Sequence, residues 1–405
     1  MTSFGSSPQL NASRALLALA VVFVMLATTG WTAVHSHGGR SPLEASRSKW
    51  EHGRLDGHRL PDPDSAPGRL ARFFASLDAH QRTRLAHRYP LAVGNMNGAP
   101  VRLRYRANRL ALGQQRRVER TRMRDSRLSS AGQQQAGRRM HRYEALLKRR
   151  RQILAFDPGG SGRIAEVFGN LNRAERISVV VPGVDTDLLT FQRTFRKYSA
   201  PVGMARALYR AERATAPRTR TAVIAWADYT APSGLGMDAA TAMRAEDGAV
   251  RLNRLLRALP GEAPVALYCH SYGSVVCGIA APELPGRVAD LAVAGSPGMR
   301  AENAGRLGTT ARVWAMRDAD DWIRDVPHLE VGGLGHGADP VSAGFGARVL
   351  SADGAQGHGG YFEPGTGSLR NFAEIGVGAY RAVRCASKDD VCRKGLSAVT
   401  AAGRA

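Results

Sequence analysis

The feature that most constrains this chain begins at Arg163: short, uninterrupted apolar runs alternate with segments of helical spacing. Residues 177–181 (ISVVV), 221–226 (TAVIAW), 265–269 (VALYC), 290–294 (DLAVA) and 312–316 (RVWAM) read as strands buried on both faces. Between them, 188–210, 239–259 and 272–283 read as helices. Apolar strands without polar alternation, joined by helices, specify a mainly parallel sheet with helices on both faces. Ligands of such sheets bind at the carboxyl ends of the strands. The residues just after each strand are therefore the candidates for chemistry.

Directly after VALYC comes His270-Ser271-Tyr272-Gly273-Ser274, entering a helix. Strand, sharp turn with Ser at its tip, small residue and helix form the nucleophile-elbow pattern G-x-S-x-G, with Cys269 where the first Gly usually stands. A serine nucleophile needs a base, and the base needs an orienting acid, in the order Ser, acid, His on this kind of sheet. After RVWAM the chain offers Asp318, Asp320 and Asp321. After a last strand at 347–351 it offers His358 in a glycine-rich loop, with His336 as a competing base. His270, beside the Ser, is expected to point sideways. The oxyanion needs two backbone N–H donors. Tyr272, following the nucleophile, and Val184, in the Pro-Gly-Val-Asp turn after ISVVV, are the candidates.

The charge lies elsewhere. Of 57 Lys+Arg and 34 Asp+Glu in 405 residues, net +23, most of the excess falls between 41 and 151, and 102–151 is dominated by arginine. This stretch reads as two basic helices hinged at 129–132, able to face an anionic membrane surface or another polyanion. Aromatic residues rarely interleave with these arginines, so a single-strand stacking platform is not indicated and no nucleic-acid partner is expected. Residues 15–34 (ALLALAVVFVMLATTGWTAV) carry no charge over a length sufficient to cross a bilayer core of about 30 Å. They read as an uncleaved anchor or a cleaved signal, placing the protein at the cell membrane or outside the cell, although the flanking basic residues favour a cytoplasmic C-terminal side. The expected division is 1–39 anchor or signal, 40–68 a Pro/Gly/Ser-rich linker, 69–157 a basic helical region, 158–380 the catalytic domain and 381–405 a tail. Four cysteines are too few for a disulfide framework. Cys385 and Cys392 could pair after export, and Cys277 reads as a core residue.

The blocks VGNMNGAPVRLRYRAN (93–108), VVVPGVDTD (179–187), AWADYTAP (225–232), HSYGS (270–274), AGSPG (294–298), DDWI (320–323), HGADP (336–340) and HGGYF (358–362) resemble, in order, those of an actinobacterial α/β-hydrolase family of unknown function. The resemblance covers about 70–380. It implies an α/β-hydrolase fold with an N-terminal helical extension, to which the charge pattern adds that the extension is basic and the apolar segment 15–34 adds one N-terminal hydrophobic helix. It also implies a triad of Ser271, Asp321 and His358. Trp322 stands where the family tends to show Pro after the acid, which leaves Asp318 and Asp320 as alternatives. The expected activity is a serine hydrolase cleaving an ester, thioester or amide of a small-molecule or lipid-like acyl substrate through an acyl-enzyme, with no metal or organic cofactor. The rival is a non-catalytic, membrane-tethered protein of the same fold that binds a polyanion through its basic helices. Neither substrate nor oligomeric state is legible.

Overall fold

The computed structural model describes residues 40–148, 151–386 and 391–396. The apolar segment 15–34 lies outside the described residues. Among those described, no helix is long and apolar enough to cross a membrane.

The described residues form one compact unit. Its centre is an eight-stranded sheet: β1 (Gln152–Asp157), β2 (Arg163–Gly169), β3 (Arg176–Val181), β4 (Thr221–Ala227), β5 (Val265–His270), β6 (Val288–Ala294), β7 (Arg312–Met316) and β8 (Arg348–Val349), in the spatial order 1-2-4-3-5-6-7-8. From β4 through β8 every neighbouring pair is parallel, while β2 pairs antiparallel with both β4 and β1. Successive strand residues serve opposite faces, as the two-residue period requires. On β3, Val180 packs with one core, while Val179 and Val181 pack with the other.

One face is covered by α7 (Pro201–Thr215) and α10 (Gly367–Val377), through residues such as Leu208 and Phe372. The other is covered by α8 (Met243–Ala258) and α9 (Gly273–Ala280), through Leu252, Leu256 and Val276. Both surfaces of the parallel strands are therefore dry, which is why their sequences show no polar alternation.

Ahead of the sheet lie α1 (Pro42–Glu51), α2 (Pro67–Ser76), α3 (Ala79–Arg88), α4 (Pro90–Asn95), α5 (Val101–Arg122) and α6 (Ser130–Leu146). The expected linker at 40–68 is corrected by this arrangement. Ser41 and Glu44 form a capping box that starts α1 (3.2 and 2.8 Å). Trp50 at its end is fully buried and donates to the Pro61 carbonyl (2.7 Å). Residues such as Trp50, Leu60, Phe74, Val93 and Leu103 share a third core, so 40–68 has its own apolar anchor.

The boundary at 157 is also corrected, since β1 already belongs to the sheet. Asn95 clamps it by exchanging two hydrogen bonds with the Phe156 backbone (2.7 and 2.9 Å). Asn108 bridges the Gly94 and Ile153 carbonyls (3.0 Å each). A side chain at Gly94 would collide with that amide, its Cβ falling 2.0 Å from Asn108 Oδ1. The block at 93–108 is thus the seam between helical block and sheet. The described part of the tail is not loose either: Cys385 and Cys392 are bridged, and Arg348 donates to the carbonyls of Cys392 and Lys394.

Candidate active site

The turn after β5 holds Ser271 at φ +55°, in the left-handed region that costs a non-glycine residue roughly 1–2 kcal/mol. Three contacts over-determine it. Ser271 N–H donates to the Ala294 carbonyl of β6 (3.0 Å), and Ser274 N–H and Oγ–H both donate back to the Ser271 carbonyl (2.9 and 2.6 Å). Gly273 lets α9 approach β3 closely: a Cβ there would lie 2.3 Å from the Val181 carbonyl oxygen. Behind the turn, Cys269 and Cys277 are joined in a disulfide that ties the end of β5 to α9. Cys277 is buried in the core as expected and Cys269 holds the first position of the elbow; the bridge between them is what the sequence did not reveal.

His358 lies on a 3-10 turn, Gly357–Phe362, beyond β8. Its Nε2 is 2.8 Å from Ser271 Oγ, and its Nδ1 is 2.8 and 3.1 Å from the two oxygens of Asp321. A carboxylate only accepts, so the imidazole N–H sits on Nδ1 and Nε2 is free to accept from the serine hydroxyl. Asp321 is buried at the end of the β7 loop. Burial pushes its carboxyl up, but hydrogen bonds from His358, Tyr361 and the Ile323 N–H outweigh this, so the group sits below its ordinary value. The two other aspartates are elsewhere. Asp318 accepts from the Gly357 N–H (2.8 Å), and Asp320 is exposed.

His336 is buried away from Ser271 Oγ, donating through Nε2 to the Ala239 carbonyl (2.7 Å), with its ring edge-on to Tyr272. His270 donates through Nε2 to the His358 carbonyl (2.6 Å). Burial first, then His358, pushes its imidazole down to about 3, so it is neutral and holds the His358 backbone without adding charge.

The turn carrying Val184 is pressed against the serine: a Cβ on Gly183 would fall 2.5 Å from Ser271 Cβ. Tyr229 O–H donates to the Pro182 carbonyl (2.7 Å), and Asp185 N–H donates to the Pro232 carbonyl (2.8 Å), fixing this turn to the loop after β4. Among the described residues neither the Val184 nor the Tyr272 N–H has an acceptor.

Sequence reasoning missed Tyr361. Its hydroxyl donates to Asp321 Oδ2 (2.5 Å) and accepts from the Asp318 N–H (3.0 Å). The HGGYF block contained it, three residues after His358 and without a motif of its own. Trp322 was noticed only as a departure from Pro; its ring packs 4.8 Å from that of His358 while remaining 41% exposed. Among the described residues no group of three or more His, Cys, Asp or Glu is arranged to hold a metal ion.

Two curated relatives, uncharacterized proteins from two strains of Mycobacterium tuberculosis, are each 26% identical over 382 residues, covering 79% of this chain and 57% of theirs. The chain thus spans little more than half the length of the curated relatives it matches. Similar solved structures include a CIB-like hydrolase from Thermoplasma acidophilum (14% identity, TM-score 0.33, covering 57% of this chain and 97% of that one). A lidless serine hydrolase from Xanthomonas campestris has 13% identity and TM-score 0.33, covering 57% and 94%. A dienelactone hydrolase from Anabaena variabilis has 16% identity and TM-score 0.30, covering 56% and 94%. A family model described as alpha/beta hydrolase matches residues 157–331. Residues 157–331 are thus similar to the alpha/beta-hydrolase family, the resemblance that the blocks of the sequence carried, and the mostly parallel central sheet is that of an α/β-hydrolase fold.

Proposed function

We propose that the protein is a serine hydrolase acting through an acyl-enzyme. The observation that carries this reading is the unbroken hydrogen-bonded chain Ser271–His358–Asp321 at 2.8 Å per link. Ser271 Oγ attacks the substrate carbonyl while its proton passes to His358 Nε2; Asp321, accepting from Nδ1–H, stabilises the imidazolium that forms. The negative charge on the carbonyl oxygen is met by the N–H groups of Val184 and Tyr272, each such donor being worth about 10²–10³ in rate. Collapse expels the alcohol, thiol or amine with the proton from His358. Water, deprotonated by the same imidazole, then attacks the acyl group and regenerates Ser271 Oγ–H.

The acyl bond is that of an ester, thioester or amide. The pairing of all four cysteines among the described residues supports an exported domain, because disulfides persist in oxidising compartments. The test is covalent labelling by a fluorophosphonate, parent against Ser271→Ala, followed by hydrolysis of acyl esters of graded length. Labelling of the parent alone supports the reading; a folded parent that stays unlabelled removes it.

A groove of about 780 Å³ between α3, α5 and α6 favours a second reading, polyanion binding by a non-catalytic fold. Arg106, Arg109, Arg116, Arg117 and Lys148 line it against the single acid Glu144. That reading requires salt-sensitive binding to heparin together with an inert Ser271.

A further inference from the structure

We infer that residues 193–197, Arg-Thr-Phe-Arg-Lys, are a tip that docks on an anionic lipid surface and presents the mouth of the Ser271 site to it. All five residues are exposed, and Phe195, at 78%, is the most exposed of the large apolar side chains described. The tip has a defined shape. Arg196 sits at φ +46°, and its guanidinium lies 5.5 Å from the Phe195 ring centroid. Arg142 of α6 holds the loop from behind through the carbonyls of Leu189 and Gln192, the latter at 2.8 Å. Among the described residues Arg193, Arg196 and Lys197 have no acidic partner, so three cations flank one outward-facing aromatic ring.

An apolar ring with uncompensated cations on either side matches the chemistry of an anionic bilayer face. Headgroup phosphates meet the cations, each worth about fivefold in partition, and the ring enters the apolar boundary below them. The chain's net charge of +23 adds long-range attraction of the same sign.

The tip adjoins the candidate site. It runs into the 3-10 turn Lys197–Ser199, and Ser199 packs on the turn of His358, a Cβ on Gly359 falling 3.1 Å from Ser199 Cβ. Further exposed apolar side chains lie on neighbouring loops of the same sheet end. Trp322 stands over His358, and Leu235 and Met237 are on the loop bonded to Asp185. The acids Asp320 and Asp325 lie on the Trp322 side, which leaves the 193–197 side as the cationic one.

The interaction surface stands on these observations; its use in delivering an acyl substrate rests on the serine-hydrolase reading. The experiment uses the full chain. Since the described cysteines are all paired, Phe195→Cys gives one thiol for an NBD label, and Glu262→Cys, exposed on the loop before β5 at the opposite end of the sheet, gives a control. With phosphatidylglycerol vesicles, the label at 195 is expected to shift to the blue and to be quenched by doxyl lipids, while the label at 262 does neither. The change should be absent on phosphatidylcholine, reversed at 1 M salt, and abolished in the Arg193→Gln, Arg196→Gln, Lys197→Gln triple variant. The same insertion in a Ser271→Ala background separates this inference from the hydrolase reading. It is overturned by vesicle-bound protein whose label at 195 stays in water, by equal shifts at 195 and 262, or by equal shifts on both lipids. A DNA duplex that moves the label as far as phosphatidylglycerol does would make the tip a general polyanion contact and overturn it equally.

Discussion

The phenol of Tyr361 supplies one of the donors that hold Asp321, beside His358 Nδ1–H and the Ile323 N–H. Tyr361→Phe keeps the ring and deletes the donor. A hydrogen bond to a charged group contributes about 1.5–3 kcal/mol, part of which is felt only when the imidazole becomes cationic. The fluorophosphonate labelling rate is expected to fall at least about tenfold while the melting temperature changes little; an unchanged rate would place Tyr361 in the packing alone. Glu212 makes the opposite kind of demand. It is fully buried, with Ser178 Oγ–H donating to one carboxyl oxygen. Burial raises its pKa to about 8, against an ordinary value of 4.5. The folded state therefore binds this proton more tightly than the unfolded one, and the stability it contributes below pH 4.5 is lost as pH rises through about 8. At about 1.4 kcal/mol per unit, the loss reaches several kcal/mol. Glu212→Gln should flatten that slope and be more stable than the parent at pH 9, as measured by urea denaturation at pH 5, 7 and 9. Neither residue was legible in the sequence. A tyrosine three places after a histidine and a glutamate in a basic helix have no pattern of their own; both acquire their roles from neighbours far along the chain.

At the scale of elements, β3 to β7 could be read because both their faces are dry and apolar residues dominate them, the buried Ser178 of β3 and Asp290 of β6 being satisfied by partners in the core. The edge strands β1 and β2 could not. Their apolar runs are short, bounded by Asp157 and Arg163 and interrupted by Glu166, and the structure compensates these charges with the pairs Arg163–Asp157 and Arg151–Glu166. The helix expected at 188–210 is mostly loop. Asp187 accepts from the N–H groups of Leu189 and Thr190 (2.7 Å each), turning the chain, and helix resumes only with Pro201 at its first position. The elbow was legible from its order of strand, Ser, small residue and helix. The Cys269–Cys277 bridge was not, because a spacing of eight across a strand, a turn and a helix belongs to no motif. Closing so short a loop contributes about 2–3 kcal/mol in the chain-entropy account. Cys269→Ala with Cys277→Ala should lose about that much in urea, and alkylation of the denatured parent without reductant should leave both sulfurs unmodified. Gly183→Ala tests the neighbouring turn. With its Cβ 2.5 Å from Ser271 Cβ, the turn carrying Val184 must withdraw. Labelling of Ser271 should drop about 100-fold, the size of one lost oxyanion donor, in a protein that still folds.

For the whole molecule, the sequence suggested a linker, a basic helical region and a catalytic domain, because a composition shift near 151 resembles a boundary. The contacts erase it. Leu91, Ala111, Leu112, Tyr143 and Leu146 of the helical block share a core with Ile153, Phe156 and the sheet interior. The polar seam between them is buried: Asn108 is wholly inaccessible, and its amide satisfies carbonyls on both sides. The surface arginines that dominate the composition say little about this, since they need only remain solvated while the opposite helix faces pack. Block and sheet should therefore lose structure together. Asn108→Ala removes the donor of both seam hydrogen bonds and leaves the Ile153 carbonyl buried without it, at a cost of about 1–3 kcal/mol. Pulse proteolysis across a urea series, with fragments identified by mass spectrometry, should show cleavage within 40–148 and within 151–386 beginning at the same urea concentration, and both shifting downward together in the variant. Cleavage of the helical block alone at lower urea, with the sheet intact and Ser271 still labelled, would make the block a separable layer and contradict the single cooperative unit that the seam requires.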